Sequence, residues 1–132
     1  MSLTPDMTHT HEALRWRSAF GVATPDPTIK GYVMQQNLIE EEYREFLQAI
    51  DEYDSLETVE TAAHTLKELA DLVFVCYQFA AAKGWNLDLA LTRVFESNMS
   101  KLDIDGLPIR RKDGKILKGP RYFEPQLFDL IP

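Results

Sequence analysis

Four acidic residues stand in two pairs, each with a spacing of three: Glu42 and Glu45 in LIEEEYREFLQAI, and Glu68 and Asp71 in HTLKELADLVFVCYQFA. A helix turns about 100° per residue, so residues three apart lie roughly 60° apart and aim their carboxylates the same way. Each pair can chelate. In the first stretch Leu38, Glu42, Glu45, Phe46 and Ala49 share a sector of roughly 100°, with Glu40, Arg44, Gln48 and Asp51 on the other side. In the second, Glu68 and Asp71 share a face with His64, Leu72, Val75 and Phe79. From Leu69 to Ala82 that stretch is apolar nearly all round, which predicts a buried helix.

Carboxylates buried close together must be compensated by a cation or be driven to protonate. Ligands that are all hard oxygens, with no cysteine and at most one histidine, favour Mg²⁺ or Mn²⁺ over Zn²⁺. The competing reading is a pair of solvated helix faces or a buried Lys/Arg salt bridge. Glu57 and Glu60, at the same spacing in an acidic stretch, are assigned to that plainer class. A di-iron carboxylate site wants E-x-x-H on two helices, but the residue three before His64 is Thr61. The other class is metal-dependent phosphoryl chemistry, in which clustered cations neutralise phosphate oxygens and position a water. Neither G-x-G-x-x-G nor G-x-x-x-x-G-K-[ST] occurs. The histidines are His9, His11 and His64, with the first two expected in a frayed start, so no histidine general base is assigned.

The elements that must position these acids are helices. Residues 8 to 20 read as a short first helix stopped by Gly21, and ATPDPT punctuates the chain with Pro25 and Pro27. A long helix is expected from about Thr28 to Asp54. Ser55 reads as N-cap of a second, from Leu56 to Lys83, ended by Gly84. The short turn between them implies an antiparallel pair. Asn86 caps a fourth helix over 87–102, with Leu87, Leu91, Val94 and Phe95 on its buried side and Asn98 and Lys101 facing together at its end. Asp113-Gly114 reads as a two-residue hairpin turn between Ile109–Lys112 and Lys115–Lys118. The tail, with Phe123, Leu127, Phe128, Leu130 and Ile131, is apolar enough to pack on the bundle or on another subunit.

A chain of 132 residues with 45% hydrophobic and 27% charged content is expected to form one soluble domain, its residues 1–8 flexible. The start, MSLTPDMTHTHEALRW, lacks the basic and apolar regions of a signal peptide, which implies a cytoplasmic protein. No apolar run reaches the ~20 residues of a membrane span. A net charge of -7 argues against nucleic-acid polymers and anionic membranes as partners. Residues 1–100 carry seven Lys/Arg against sixteen Asp/Glu, a balance of -9, whereas 101–121 carry +4. That basic stretch is either a solvated hairpin or a flap over a small polyanion. The single Cys76 falls in the apolar helix and is assigned no chemistry.

Taken together, E-E-x-x-E (Glu41, Glu42, Glu45), E-L-A-D (Glu68 to Asp71) after 22 intervening residues, and N-x-x-K (Asn98 to Lys101) resemble the MazG-like, all-α nucleoside triphosphate pyrophosphohydrolases over about residues 10–125. D-G-x-P (Asp105 to Pro108), then G-K-x-x-K-G (Gly114 to Gly119) and Tyr122, look like the tail of small stand-alone members. The phosphoribosyl-ATP pyrophosphohydrolases are related. The resemblance implies an antiparallel four-helix bundle with a short C-terminal hairpin, completed in a homodimer or homotetramer. It also implies Mg²⁺-dependent cleavage of NTP or dNTP between the α and β phosphates, in the service of the nucleotide pool. Glu42, Glu45, Glu68 and Asp71 would be metal ligands, and Glu41 would handle the attacking water. Asn98 and Lys101 match substrate-contacting positions, and Lys118, Arg121 and Tyr122 would meet phosphates. Trp16 could stack on the base, although many members carry Phe-His where this chain has Trp16-Arg17. Two alternatives stay open: the phosphoribosyl-ATP reaction, and a non-catalytic helical interaction module whose acids bind metal structurally.

Overall fold

The computed structural model describes residues 8–132. Its helices are α1 (His9–Ala19), α2 (Ile29–Ser55), α3 (Val59–Lys83) and α4 (Leu87–Met99), with a 3₁₀ turn at Phe128–Leu130. Among the described residues there is no strand, only an isolated antiparallel bridge between Arg110 and Ile116. The fold is all-α. The chain divides into two compact units, with the boundary in sequence between Trp85 and Asn86. The expected flexible start falls on residues outside those described, apart from Thr8, whose side chain caps α1 by accepting from the His11 N–H at 3.1 Å. His9 and His11 sit in the first turn of α1 rather than in a frayed end.

In the first unit, α1 stops where Gly21 takes a φ of 67°. The following turn is organised by Asp26, which accepts from the Thr28 N–H at 3.0 Å and from its hydroxyl at 2.6 Å. Thr28 in turn caps α2 by accepting from the Gly31 N–H at 3.0 Å. A side chain at position 31 would run into the Asp26 carboxylate as it is placed here, so glycine lets that carboxylate keep its bonds to Thr28. The inward stripe of α2 is Gln35, Leu38, Glu42, Phe46, Ala49 and Tyr53, a three-four alternation that keeps one face on α3.

The expected cap at Ser55 is wrong. Ser55 is the last residue of α2, and α3 begins three residues later than expected, at Val59, with Thr58 as its cap. Thr58 and Thr61 satisfy each other: the Thr58 hydroxyl accepts from the Thr61 N–H at 3.1 Å, and the Thr61 hydroxyl accepts from the Thr58 N–H at 3.0 Å. Thr58, three residues after Ser55, is engaged with Thr61 instead, and this reciprocal cap outweighs a lone serine. Gly84 ends α3 in the left-handed region, as expected.

Along the α2–α3 pair, the Asp26 N–H meets the Ala82 carbonyl, Glu42 meets Glu68 and Asp71, and the Thr65 hydroxyl meets the Ala49 carbonyl. The partner's number falls as the number of the first residue rises. α1 packs against α3 as well. Burial of α3 is concentrated toward its C-terminal end, at Val75, Tyr77, Gln78 and Ala80–Ala82, but Leu66, Leu69, Val73 and Phe74 stay exposed. A helix of 11 residues spans roughly 16 Å, against roughly 37 Å for the 25 residues of α3, so α1 cannot cover it all.

Arg17 is the residue that closes the top of this unit. It is 0% exposed, and its guanidinium donates to the Thr24 hydroxyl at 2.8 Å, to Gln78 Oε1 at 3.4 Å and to the Ala23 carbonyl. Gln78 passes the link on by donating to the Ala13 carbonyl at 3.4 Å. Burial pulls the guanidinium below its usual pKa while the charge of Asp26 opposes the shift.

In the second unit Asn86 caps α4 as expected, accepting from the Leu89 N–H at 3.1 Å. The helix ends at Met99, short of residue 102, because Ser100 turns its hydroxyl to the Ser97 carbonyl and receives the Phe123 N–H at 3.1 Å. Asp103 then folds DIDG into a turn by accepting from the N–H groups of Asp105 and Leu107, each at 2.9 Å. The expected two-residue hairpin is replaced by a wider reversal. The Arg111 N–H donates to the Lys115 carbonyl at 2.8 Å around Lys112, Asp113 and Gly114, and Gly114 has a φ of 89°. Asp113 draws the turn open by accepting from the Lys115 N–H and pairing with the Arg111 guanidinium. Past it, Gly119 runs against the carbonyls of Lys101 and Leu102, where a Cβ would lie 2.6 Å from the Lys101 oxygen. The tail is tied to α4 by its polar groups. Arg93 binds Asp129 at 2.9 Å and the Gln126 carbonyl at 2.9 Å, and Ser97 donates to the Phe123 carbonyl at 2.7 Å. Phe123, Phe128 and Ile131 themselves remain exposed.

Candidate metal centre

Glu42 reaches the α2–α3 seam because it lies on the same stripe as Gln35 and Ala49, and Glu68 because it lies one turn beyond Thr65, whose hydroxyl holds the Ala49 carbonyl at 3.2 Å. One carboxylate oxygen each from Glu42, Glu68 and Asp71 lies within 4.8 Å of the others. Glu68 is only 5% exposed, while Glu42 and Asp71 are half-buried. Glu42 Oε2 and Glu68 Oε2 are buried without a hydrogen-bond partner. Carboxylate oxygens held so close and left unsatisfied fit a hard divalent cation, for which such oxygens are the usual ligands.

The electrostatics carry the same strain. Burial, then the hydrogen bond and charge of Glu45, then the charges of Asp71 and Glu68, push the Glu42 carboxyl up to about 7. Glu45 is therefore in contact with Glu42, yet it is exposed and stands outside the three-residue cluster. The sector reading had placed it inside the apolar stripe; it lies on the flank. Glu41 is exposed and is likewise not drawn into the cluster, since the next residue along a helix is turned by about 100°.

One cation is already there. Lys67 Nζ lies 2.7 Å from Asp71 Oδ2 and 3.3 Å from Glu68 Oε1, and these bonds raise the lysine's pKa. This residue was not singled out from the sequence, although its spacing of four from Asp71 is a recognisable helix pair. His64 stands at the edge, its Nε2 3.8 Å from Glu68 Oε1 and 3.9 Å from Glu52 Oε2. Gln35 was also missed. It is 7% exposed with Oε1 unpartnered, two turns before Glu42 on the same stripe. Burial pushes the Cys76 thiol up, away from reactivity.

Trp16 does not approach these acids. It stacks on Phe20 at 4.7 Å between ring centres and meets the edge of Phe74 at 6.2 Å, on the side of α3 that faces α1. A cleft of about 330 Å³ on that side is lined by His9, Glu12, Ala70, Val73, Phe74 and Tyr77. Its α3 residues are turned roughly 140° from Glu68 and Asp71, so it is separate from the carboxylate cluster. Asn98, Lys101, Lys118, Arg121 and Tyr122 belong to the second unit. There the Lys101 N–H meets the Asn98 carbonyl at 3.2 Å, and Lys118 lies over the Tyr122 ring, 4.7 Å from its centre. Asn98 and Arg121 are exposed, and Lys101 is half-buried.

The molecule is thus an all-α protein with a candidate divalent-cation site held between two long helices. The model of the MazG nucleotide pyrophosphohydrolase domain matches residues 33–104, more than half of the chain and all of both acidic pairs, and the chain belongs to this family. No curated protein matches the chain. Among the described residues no helix is long and apolar enough to cross a membrane.

Proposed function

We propose that the protein is a Mg²⁺-dependent nucleoside triphosphate pyrophosphohydrolase that cleaves NTP or dNTP between the α and β phosphates, yielding a monophosphate and pyrophosphate. The observation that carries this reading is the convergence of Glu42, Glu68 and Asp71 with two buried oxygens left unpartnered. Glu42, Glu68 and Asp71, with Glu45 at the flank, hold the metal. When bound, Mg²⁺ (or Mn²⁺) neutralises phosphate oxygens and favours departure of the leaving group. Glu41 orients the attacking water and takes its proton as the water oxygen bonds to phosphorus and the bridge between the phosphates opens. Asn98 and Lys101 contact the substrate, and Lys118, Arg121 and Tyr122 meet its phosphates. Trp16 remains a candidate base contact only across a subunit boundary, given its distance around α3 from the acids of its own chain. Leu66, Leu69, Val73 and Phe74, exposed in one chain, support assembly into a homodimer or homotetramer.

A second reading, a non-catalytic helical module, is favoured by Lys67, which supplies the acids with a counter-charge. Glu42 Oε2 and Glu68 Oε2 fit a structural cation as well as a catalytic one, so hydrolysis decides between the two readings. A panel of nucleoside triphosphates with Mg²⁺, including phosphoribosyl-ATP, scored by chromatography for monophosphate and pyrophosphate, tests the proposal. Cleavage of a nucleoside triphosphate between the α and β phosphates supports it. Cleavage of phosphoribosyl-ATP alone moves the substrate, and metal binding without any cleavage favours the module.

A further inference from the structure

Lys67 has an unusual position for a surface lysine. Its side chain is 63% exposed, yet its ammonium sits on oxygens of two of the three clustered acids, Asp71 Oδ2 at 2.7 Å and Glu68 Oε1 at 3.3 Å. Asp71 and Glu68 supply the negative charge that acts on the ammonium, and His64 stands at 3.8 Å from the same Glu68 oxygen. Arg44, the nearby arginine of α2, is engaged elsewhere, 3.8 Å from Glu40. Lys67 therefore satisfies one side of the cluster, while Glu42 Oε2 and Glu68 Oε2 remain unpartnered.

A dication and an ammonium cannot share these oxygens without strong like-charge repulsion. The ammonium is the one that can leave: it rides on a flexible, largely exposed stem, whereas its partner acids are held in the seam, and water solvates it well. Once released it stays at the rim of the site, tethered to the residue before Glu68. The new anion there is the phosphate chain of a nucleotide held at the metal.

We infer that Lys67 is a displaceable counter-ion, holding the acids together before metal binds, giving way to the divalent cation, and then contacting the substrate's phosphates. This rests on the reading of the carboxylate cluster as a metal site. It adds a substrate-binding residue on α3 and makes metal loading a replacement of one cation by another.

Three variants of the full chain test it: Lys67→Met and Lys67→Gln, which lack the charge, and Lys67→Arg, which keeps it. Circular dichroism and melting in chelator establish folding, and either neutral variant suffices if the other does not fold. Calorimetric titration with Mn²⁺ is expected to show the neutral variants binding roughly three- to tenfold more tightly than the parent, with Lys67→Arg close to it. At saturating Mn²⁺, a non-hydrolysable nucleoside triphosphate analogue is expected to bind the neutral variants several-fold more weakly. Equal or weaker Mn²⁺ binding by the neutral variants overturns displacement, and unchanged analogue affinity overturns the phosphate contact. A parent protein that takes up no Mn²⁺ at all overturns the metal site itself, a result distinct from either.

Discussion

The Thr65 hydroxyl on α3 lies 3.2 Å from the Ala49 carbonyl on α2 and 2.8 Å from the Thr61 carbonyl of its own helix, and its one proton is shared between these two acceptors. This contact marks where α3 lies along α2. Ala49 is 1% exposed and small enough to let the backbones approach, and Glu68 lies one turn beyond Thr65, opposite Glu42. Thr65→Val keeps the shape and removes the hydroxyl. Denaturant unfolding should show a loss of about 1 kcal/mol, and Mn²⁺ titration a several-fold weaker site. A destabilised variant with unchanged metal affinity would show that the register is held by packing alone.

Glu68→Gln and Asp71→Asn should differ in stability while agreeing in chemistry. Both should lower hydrolysis by at least roughly a hundredfold if the cluster holds the catalytic metal. In chelator, Glu68→Gln should melt at the same temperature as the parent or higher, because it removes a buried charge from a repulsive group. Asp71→Asn relieves repulsion too but weakens the bridge to Lys67, so its gain should be smaller. Full activity in both would remove these residues from the site.

Glu42 makes the stability of the metal-free protein depend on pH. Its carboxyl is raised from 4.5 to about 7, so the folded chain holds this proton more tightly than the unfolded one. That contribution is complete below about 4.5 and is lost as the pH rises toward 7. Melting in chelator across this window should show the parent losing stability relative to Glu42→Gln, with the difference level above 7. Metal binding should strengthen over the same window, because the cation competes with the proton. Parallel melting profiles for the two proteins would contradict the assignment.

Arg17 is a strut whose loss should be felt in the fold. Arg17→Leu leaves the Ala23 carbonyl and the Gln78 and Thr24 side chains without their donor, at a cost of about 2–4 kcal/mol in unfolding. Metal affinity in the folded fraction should stay near that of the parent. A variant of parental stability with altered base preference would instead make Arg17 a ligand contact.

Lys101→Ala probes the second unit. Calorimetry should show weaker binding of a non-hydrolysable nucleotide with Mg²⁺ affinity retained. An equal loss of both would mean that Lys101 acts on the metal or on folding.

Periodicity along a single chain is local, and local information was enough for much of this protein. The helices were legible, as were the Thr28 and Asn86 starts, the Gly21 and Gly84 stops, and the pairing of acids at a spacing of three, because 100° per residue decides which side chains share a face. Boundaries failed where two local signals competed: Ser55 lost to the reciprocal Thr58–Thr61 cap, and the hairpin at Asp113-Gly114 opened around the carboxylate of Asp113. The choice among five acids was beyond any single helix. Only the rotation and register of α2 against α3 put Glu42 beside Glu68 and Asp71, and left Glu45 on the flank and Glu41 outside, whereas Lys67 reaches Asp71 within α3 itself. Arg17 likewise looks like any helix-surface arginine in sequence. Its burial follows from the turn at Ala23–Thr24 and Gln78 of α3 closing around it, a conjunction of segments far apart in the chain.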